Sequence, residues 1–375
     1  MPTTRRGNGE GSIYKRKDGR WAADISLPGA KRKTLYGKTR EQVRDKLRAA
    51  QQSLAAGLNL PSDRVTVARF SAEWLKSKKP NLRVKSYEQY ESILRLHIVP
   101  ALGRQRLARV KPTDLTTLYG KLLDSGLSQT TVRHVHKVIR GMLGDAYRWD
   151  YVVRNVAELV TPPKPSKRDV PVFSIDEAKR FISTARQSEH EALYVVAATT
   201  GARSAELLGL TWDAVDLDEQ VIHIGKALQY QGGKPSLVEP KTKASIREIA
   251  LTGMAVDSLR RQRTKQDTQA LSLGPAWQNS MNLVFTNTVG SPLDRHNVLK
   301  RGLRPLLKEA GLDAALRFHD LRHIAASLAL GQGLPVTLVS QMLGHASVAT
   351  TLNVYAHVIP GTQRQVADEM ERLLA

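Results

Sequence analysis

The chain contains no cysteine, which excludes disulfides, thiolate zinc sites and cysteine nucleophiles. No apolar run approaches the ~18–20 residues that a membrane-spanning helix needs. The opening MPTTRRGNGEGS lacks the apolar core of a secretory signal. These absences predict a soluble protein of the cytosol or nucleoid, without membrane partners. Negative charge is also scarce: the formal net charge is +22 and the pI near 10.2. Residues 1–60 carry 14 Lys/Arg against 5 Asp/Glu, residues 61–168 carry 21 against 9, and residues 169–375 carry 22 against 21. The excess therefore lies almost wholly in the first 168 residues. A phosphate backbone rewards that arrangement through counterion release, so a nucleic acid is the expected partner.

At 375 residues the chain exceeds one typical domain. Residues 1–60 read as a small module of three strands (12–16, 21–27 and 31–36) and one helix. Lys17-Asp18-Gly19 supplies the hairpin turn. Thr39 and Gln42 are spaced as a capping box, and Val43, Leu47, Ala50 and Leu54 follow at helical spacing. Lys15, Arg16, Lys17, Arg20, Lys31, Arg32 and Lys33 make this module basic. Residues 65–160 read as a helical bundle, with one helix running up to Pro100. Its clearest amphipathic stretch carries Val132, Val135, Ile139, Met142, Leu143 and Ala146 on one face. Arg133, Lys137 and Arg140 line the other face, and Lys85 sits in an earlier basic stretch. TPPKPSKRDVP (161–171) holds four prolines and three basic residues, which predicts an extended, solvated linker. Residues 172–375 read as mixed and mainly helical. Ser174 and Glu177 form a second capping box, and segments 221–224, 236–238 and 246–251 are expected to form one small antiparallel sheet. The fold class is thus multidomain: a β-sheet plus helix, an all-α bundle, and a mainly-α third part with a small sheet.

That last part carries five short islands in order: TGARSAELLGL (200–210), PKTKASIREI (240–249), HDLRH (319–323), LGH (343–345) and TTLNVYAH (350–357). Arg203 and Glu206 stand three apart, so on a helix the carboxylate can orient the guanidinium, whose planar fork suits two phosphate oxygens. Lys241, with Lys243 as a rival, is expected on a hairpin between two strands, from which it could protonate a leaving 5′ oxygen. His319 and Arg322 share a helix face; the histidine could accept a tyrosine proton or bond a phosphate. His323 is read as pointing elsewhere on the helix, as a structural residue or a secondary contact. His345 follows Gly344, expected at a helix end. Tyr355 is the nucleophile candidate; a phenol near pKa 10 needs cations or a base to react at neutral pH. Near these islands there is no Asp/Glu cluster, Walker loop or metal-ligand spacing, so no cofactor, Mg²⁺ or ATP is expected.

Together the islands resemble the catalytic signature of the tyrosine recombinase (phage integrase) family. The resemblance implies cleavage and rejoining of DNA through a 3′-phosphotyrosine, with Arg203, Lys241, His319, Arg322, His345 and Tyr355 catalytic and Glu206 in support. It further implies an arm-type DNA-binding domain at 1–60 and a core-binding domain at 65–160. Strand exchange would run through a Holliday junction in a homotetramer. The implied partners are double-stranded DNA with core and arm-type attachment sites, a DNA-bending host factor and an excision factor. The apolar stripe Val366, Met370, Leu373 and Leu374 would either pack on its own domain or dock on a neighbouring protomer. The rival readings are a Xer-type resolvase, a type IB topoisomerase-like enzyme and a catalytically inactive DNA-binding regulator.

Overall fold

The computed structural model describes residues 12–26, 32–55, 64–165, 172–240, 242–358 and 363–374. The chain divides into two compact units, residues 1–167 and 168–375. Residues 166–171 of the expected linker lie outside the described residues.

The first unit opens with strands β1 (Ser12–Lys15), β2 (Trp21–Ser26) and β3 (Arg32–Gly37), which form an antiparallel sheet in sequence order. Helix α1 (Arg40–Ala55) lays Val43, Leu47 and Ala50 against Ala23 and Ile25. Their i, i+4, i+7 spacing gives the helix one apolar face. Its start is capped as expected: Thr39 Oγ1 accepts from the Gln42 N–H at 3.2 Å, and Gln42 Oε1 from the Lys38 N–H at 3.1 Å. Tyr14 and Tyr36 stand opposite Ala22 on neighbouring strands and are exposed, with the Arg16 guanidinium 5.3 Å from the Tyr36 ring centre.

Helices α2 (Val67–Lys78), α3 (Val84–Ile93), α4 (Val99–Leu102), α5 (Pro112–Asp124) and α6 (Gln129–Arg148) enclose a separate core. The apolar face of α6 lies in that core with Phe70 and Trp74. The helix expected to stop at Pro100 runs on to Leu102. One widened turn, Leu94–Ile98, precedes α4 and lies just before Pro100, whose ring cannot donate the next helical hydrogen bond. Asp145, on the buried side of α6, accepts from the Trp74 indole at 2.6 Å and pairs with Lys78 and Arg148.

The second unit comprises α7 (Ile175–Ala185), α8 (Glu191–Thr200), α9 (Ser204–Leu208), β4 (Val215–Asp216), β5 (Val221–Ile224), β6 (Ala227–Gln231), β7 (Lys234–Val238) and β8 (Arg247–Ala250). Helices α10 (Gly253–Leu273), α11 (Arg295–Asn297), α12 (Arg304–Glu309), α13 (Asp320–Gly331), α14 (Val336–Leu343), α15 (Val348–Tyr355) and α16 (Gln363–Leu374) complete it. Ser174 and Glu177 cap α7 reciprocally, at 3.2 and 2.8 Å. The main core gathers Phe181, Tyr194, Leu207, Ile249, Leu259, Leu307 and Leu321. A smaller one holds Ala326, Leu330, Val339, Leu343 and Tyr355.

The single small sheet expected here is two. β5 pairs with β4 and β8, whereas 236–238 belong to β7, which pairs with β6 in its own hairpin. Gly232 and Gly233, both at positive φ, close that hairpin between paired Gln231 and Lys234, a two-residue turn that glycine favours. The Lys241 segment therefore joins strands of different sheets instead of forming a hairpin tip. Lys241 itself lies outside the described residues, and Lys243–Ser245 form a 3₁₀ turn.

Candidate active site

The site is built on the C-terminal end of α14. The last carbonyls of any helix lack intrahelical partners and carry partial negative charge. Here three successive ones are each taken by a different arginine. Met342 O accepts from Arg247 Nε at 2.6 Å, Leu343 O from Arg322 Nη2 at 2.7 Å, and Gly344 O from Arg203 Nη2 at 3.1 Å. Gly344, at φ +66°, makes the left-handed turn that ends the helix. A Cβ there would stand 2.9 Å from Arg247 Nη1 and 3.1 Å from the Ala244 carbonyl, so the position must stay bare.

Glu206 ties two of these arginines, Arg203 and Arg247, together. It is 4% exposed; Oε1 accepts from Arg203 Nη1 at 2.7 Å, and Oε2 from Arg247 Nη2 at 3.0 Å and from the Arg203 backbone N–H at 2.9 Å. Arg203 is the N-cap residue of α9, so Glu206 also satisfies an orphan donor at that helix start. Burial pushes the Glu206 carboxyl up, but hydrogen bonds and charge from Arg247, with the bonds from Arg203, outweigh it. The net effect holds the carboxyl below its ordinary range. Arg322, buried on α13, also donates to Gly201 O at 2.8 Å. Burial and the neighbouring Arg203 pull its guanidinium down to about 10, so it stays charged at neutral pH. Three guanidiniums around one carboxylate leave an excess of positive charge, an arrangement that suits an anion.

His345 follows the glycine turn, with Nδ1 2.8 Å from Thr351 Oγ1. His319 immediately precedes α13, and its ring meets that of His323 edge-on at 5.2 Å. Both histidines are pulled down to about 4. For His319 the causes are burial, then His323 and Arg322; for His345 they are burial, then Arg322, Arg203 and Arg247. Tyr355 ends α15 and is 1% exposed, and its hydroxyl lies 2.7 Å from His323 Nδ1. Burial pushes the phenol up to about 12, against the opposing charge of Arg322.

The structure thus brings Arg203, Glu206, Arg322, His345, His319 and Tyr355 into one neighbourhood. Two residues joining them were missed or misread in the sequence. Arg247 was not singled out, and His323, read as pointing elsewhere, contacts the Tyr355 hydroxyl. A signal for His323 existed, since it stands four residues after His319 and so shares its helix face. For Arg247 the only hint was its place in the KTKASIREI island.

Of the expected DNA-binding residues, Lys15, Arg16, Lys17, Arg20, Lys85, Arg133, Lys137 and Arg140 are exposed. Arg20 is held by Asp18 at 2.7 Å, Lys85 by Glu88 at 3.1 Å and Arg140 by Glu158 at 3.7 Å. Arg32 and Lys33 lie in β3, and Lys31 lies outside the described residues.

The depressed histidines predict a pH effect on stability. An unfolded histidine protonates near 6.5, whereas His319 and His345 protonate in the folded chain only near 4. Their contribution is complete above about 6.5 and is lost as pH falls towards 4. The urea midpoint of wild type should therefore drop across that window. His319→Phe/His345→Phe should show a shallower drop, and parallel curves would refute the assignment.

Comparison with known proteins places these features in context. Residues 172–361 match the profile described as the Phage integrase family, and residues 66–123 match the Phage integrase N-terminal SAM-like domain. An integrase of Streptomyces ambofaciens is 30% identical over 371 residues, covering 94% of this chain and 93% of the relative. Among solved structures, the Tn1549 transposon integrase in complex with transposon right end DNA is similar with a TM-score of 0.68. It is 21% identical, over 83% of this chain and 100% of that one. A lambda integrase tetramer bound to a Holliday junction matches with a TM-score of 0.55 and 18% identity, over 92% of this chain and 97% of that one. Among the described residues, no helix is long and apolar enough to cross a membrane.

Proposed function

The chain belongs to the phage integrase family of tyrosine site-specific recombinases, and on that premise we propose how it cuts and rejoins DNA to move a phage or mobile element. Tyr355 attacks a backbone phosphate and forms a 3′-phosphotyrosine, and a 5′ hydroxyl from the partner duplex later reverses the step. Arg203 and Arg322 take the non-bridging oxygens. A guanidinium has five N–H groups, and the bonds described above use two of each. His319 and His345 donate to the phosphate, and Lys241 protonates the leaving 5′ oxygen. Glu206 orients Arg203. The observation that carries this reading is the row of three arginines on the end of α14, within electrostatic reach of His345 and with Arg322 acting on Tyr355. Such preorganised charge stabilises the pentavalent transition state without reorganising at the moment of reaction.

The partner is double-stranded DNA. Residues 1–60 would hold arm-type sites and 65–160 core sites, joined by the basic segment 161–171, with 172–375 as the catalytic domain. The exposed Lys15, Arg16, Lys17, Lys85, Arg133 and Lys137 support this, as does the charge excess of the first 168 residues. A homotetramer on a Holliday junction, like that of the lambda enzyme, would exchange strands in turn. Met370, Leu373 and Leu374 of α16 are exposed and could engage a neighbouring protomer. A DNA-bending host factor and an excision factor would set the direction, and the work would take place in the bacterial cytosol.

The test is covalent trapping. Wild type mixed with nicked, labelled attachment-site DNA, without metal or ATP, should give a protease-sensitive adduct stable in a denaturing gel. Tight binding with no adduct would favour the regulator, and relaxation of supercoils at unrelated sequences by a monomer would favour the topoisomerase.

A further inference from the structure

We propose that His323 is a catalytic residue of the cleavage step, taking the proton of the Tyr355 hydroxyl through Nδ1. The inference rests on the recombinase reading and assigns to His323 a role that the sequence offers to His319 as one of two alternatives. The geometry separates the two histidines. His323 Nδ1 lies 2.7 Å from the Tyr355 oxygen, with ring centres 5.7 Å apart, whereas His319 meets His323 edge-on at 5.2 Å. A general base must lie within about 2.6–3.2 Å of the proton it removes, and His323 satisfies that condition.

The need for a base is set by burial. With its phenol pushed up to about 12, Tyr355 at pH 7 is ionised in only about one molecule in 10⁵. Nucleophilic attack by a preformed phenolate would forfeit that factor, and transfer of the proton during attack avoids it. His323 accepts in the tautomer that carries hydrogen on Nε2 and a lone pair on Nδ1. The step balances. As the Tyr355 oxygen bonds to phosphorus its proton passes to His323, and the P–O5′ bond breaks. The 5′ oxygen takes a proton from the general acid, assigned above to Lys241. In rejoining, the 5′ hydroxyl attacks, the tyrosine oxygen leaves, and His323 returns the proton. Tyr355, His319 and His345 are among the groups that interact with His323. Both neighbouring histidines are neutral at pH 7.

Single-turnover adduct formation on nicked, labelled attachment-site DNA would test this with wild type, His323→Ala, His323→Gln and His319→Ala. General-base loss typically costs about 10²–10⁴-fold, so both His323 variants should be slow by that order while binding the DNA as wild type does. Added imidazole should restore part of the rate to His323→Ala, which a purely structural role would not allow. His323→Gln keeps a hydrogen-bond partner for the phenol but cannot take its proton, so it should remain slow. Either His323 variant within about threefold of wild type, or no response of His323→Ala to imidazole, would overturn the assignment. Wild type and Tyr355→Phe serve as controls. If wild type gives no adduct the recombinase reading itself fails; if it does and the His323 variants match it, only this inference fails.

Discussion

Tyr355→Phe should abolish adduct formation, a loss of at least about 10⁴-fold for removal of a nucleophile, while leaving the fold and DNA binding almost unchanged. The substitution deletes one oxygen. The ring keeps its place among Ala326, Leu330, Val339 and Leu343, so the apolar packing survives. One hydrogen bond to His323 is lost, worth about 0.5–1.5 kcal/mol. The urea midpoint should therefore move little, and gel-shift affinity for attachment-site DNA should stay within about twofold. The second unit has only two other tyrosines, Tyr194 and Tyr230. Tyr194 is buried and faces the Val298 carbonyl at 3.4 Å, wedged against Gly302, so its oxygen cannot reach DNA. Tyr230 lies on the β6–β7 hairpin, without the arginine row. An adduct persisting in Tyr355→Phe would therefore point to Tyr230 or to a residue of the first unit, and the assignment of Tyr355 would be wrong.

What could be read from the sequence follows from which interactions are local. The capping boxes at Thr39/Gln42 and Ser174/Glu177, the Arg203–Glu206 pair and the glycine ending α14 all depend on residues within a few positions of one another, and spacing exposes such contacts. Strand partners are not local. Alternation marks 236–238 as extended but does not say that its neighbour is 227–231, although the Gly232-Gly233 pair should have suggested a hairpin. Arg247 was invisible for the same reason: its partners Glu206 and Met342 lie 41 and 95 positions away. His323 was a misjudgement of a local signal. Adjacency to Arg322 turned it away in the reading, whereas its distance of four from His319 puts it on that residue's face.

The arginine row also predicts how the site fails. Glu206→Gln keeps the shape of the side chain but removes its charge. Both oxygens now face donors, Arg203 Nη1 on one and Arg247 Nη2 with the Arg203 N–H on the other. An amide has one acceptor end, so either orientation sets an NH₂ against a guanidinium. Breaking a buried pair from one side costs about 3–5 kcal/mol, because the remaining charges are left uncompensated. The sign with pH is fixed by the depressed carboxyl. Its stabilisation is complete above the ordinary value near 4.3 and lost as pH falls through the lower folded value. The deficit of the variant should therefore be full at pH 7 and shrink in acid. Cleavage should slow by about 10²-fold or more, since Arg203 loses the partner that aims it. Arg247→Met in the Glu206→Gln background separates network from site. If the arginines and the carboxylate act as one unit, the double variant should be less destabilised than the sum of the singles, by about 0.5–3 kcal/mol. Additive urea midpoints would mean that Arg247 merely packs against α14, and the view of Glu206 as the shared anchor of two arginines would have to be abandoned.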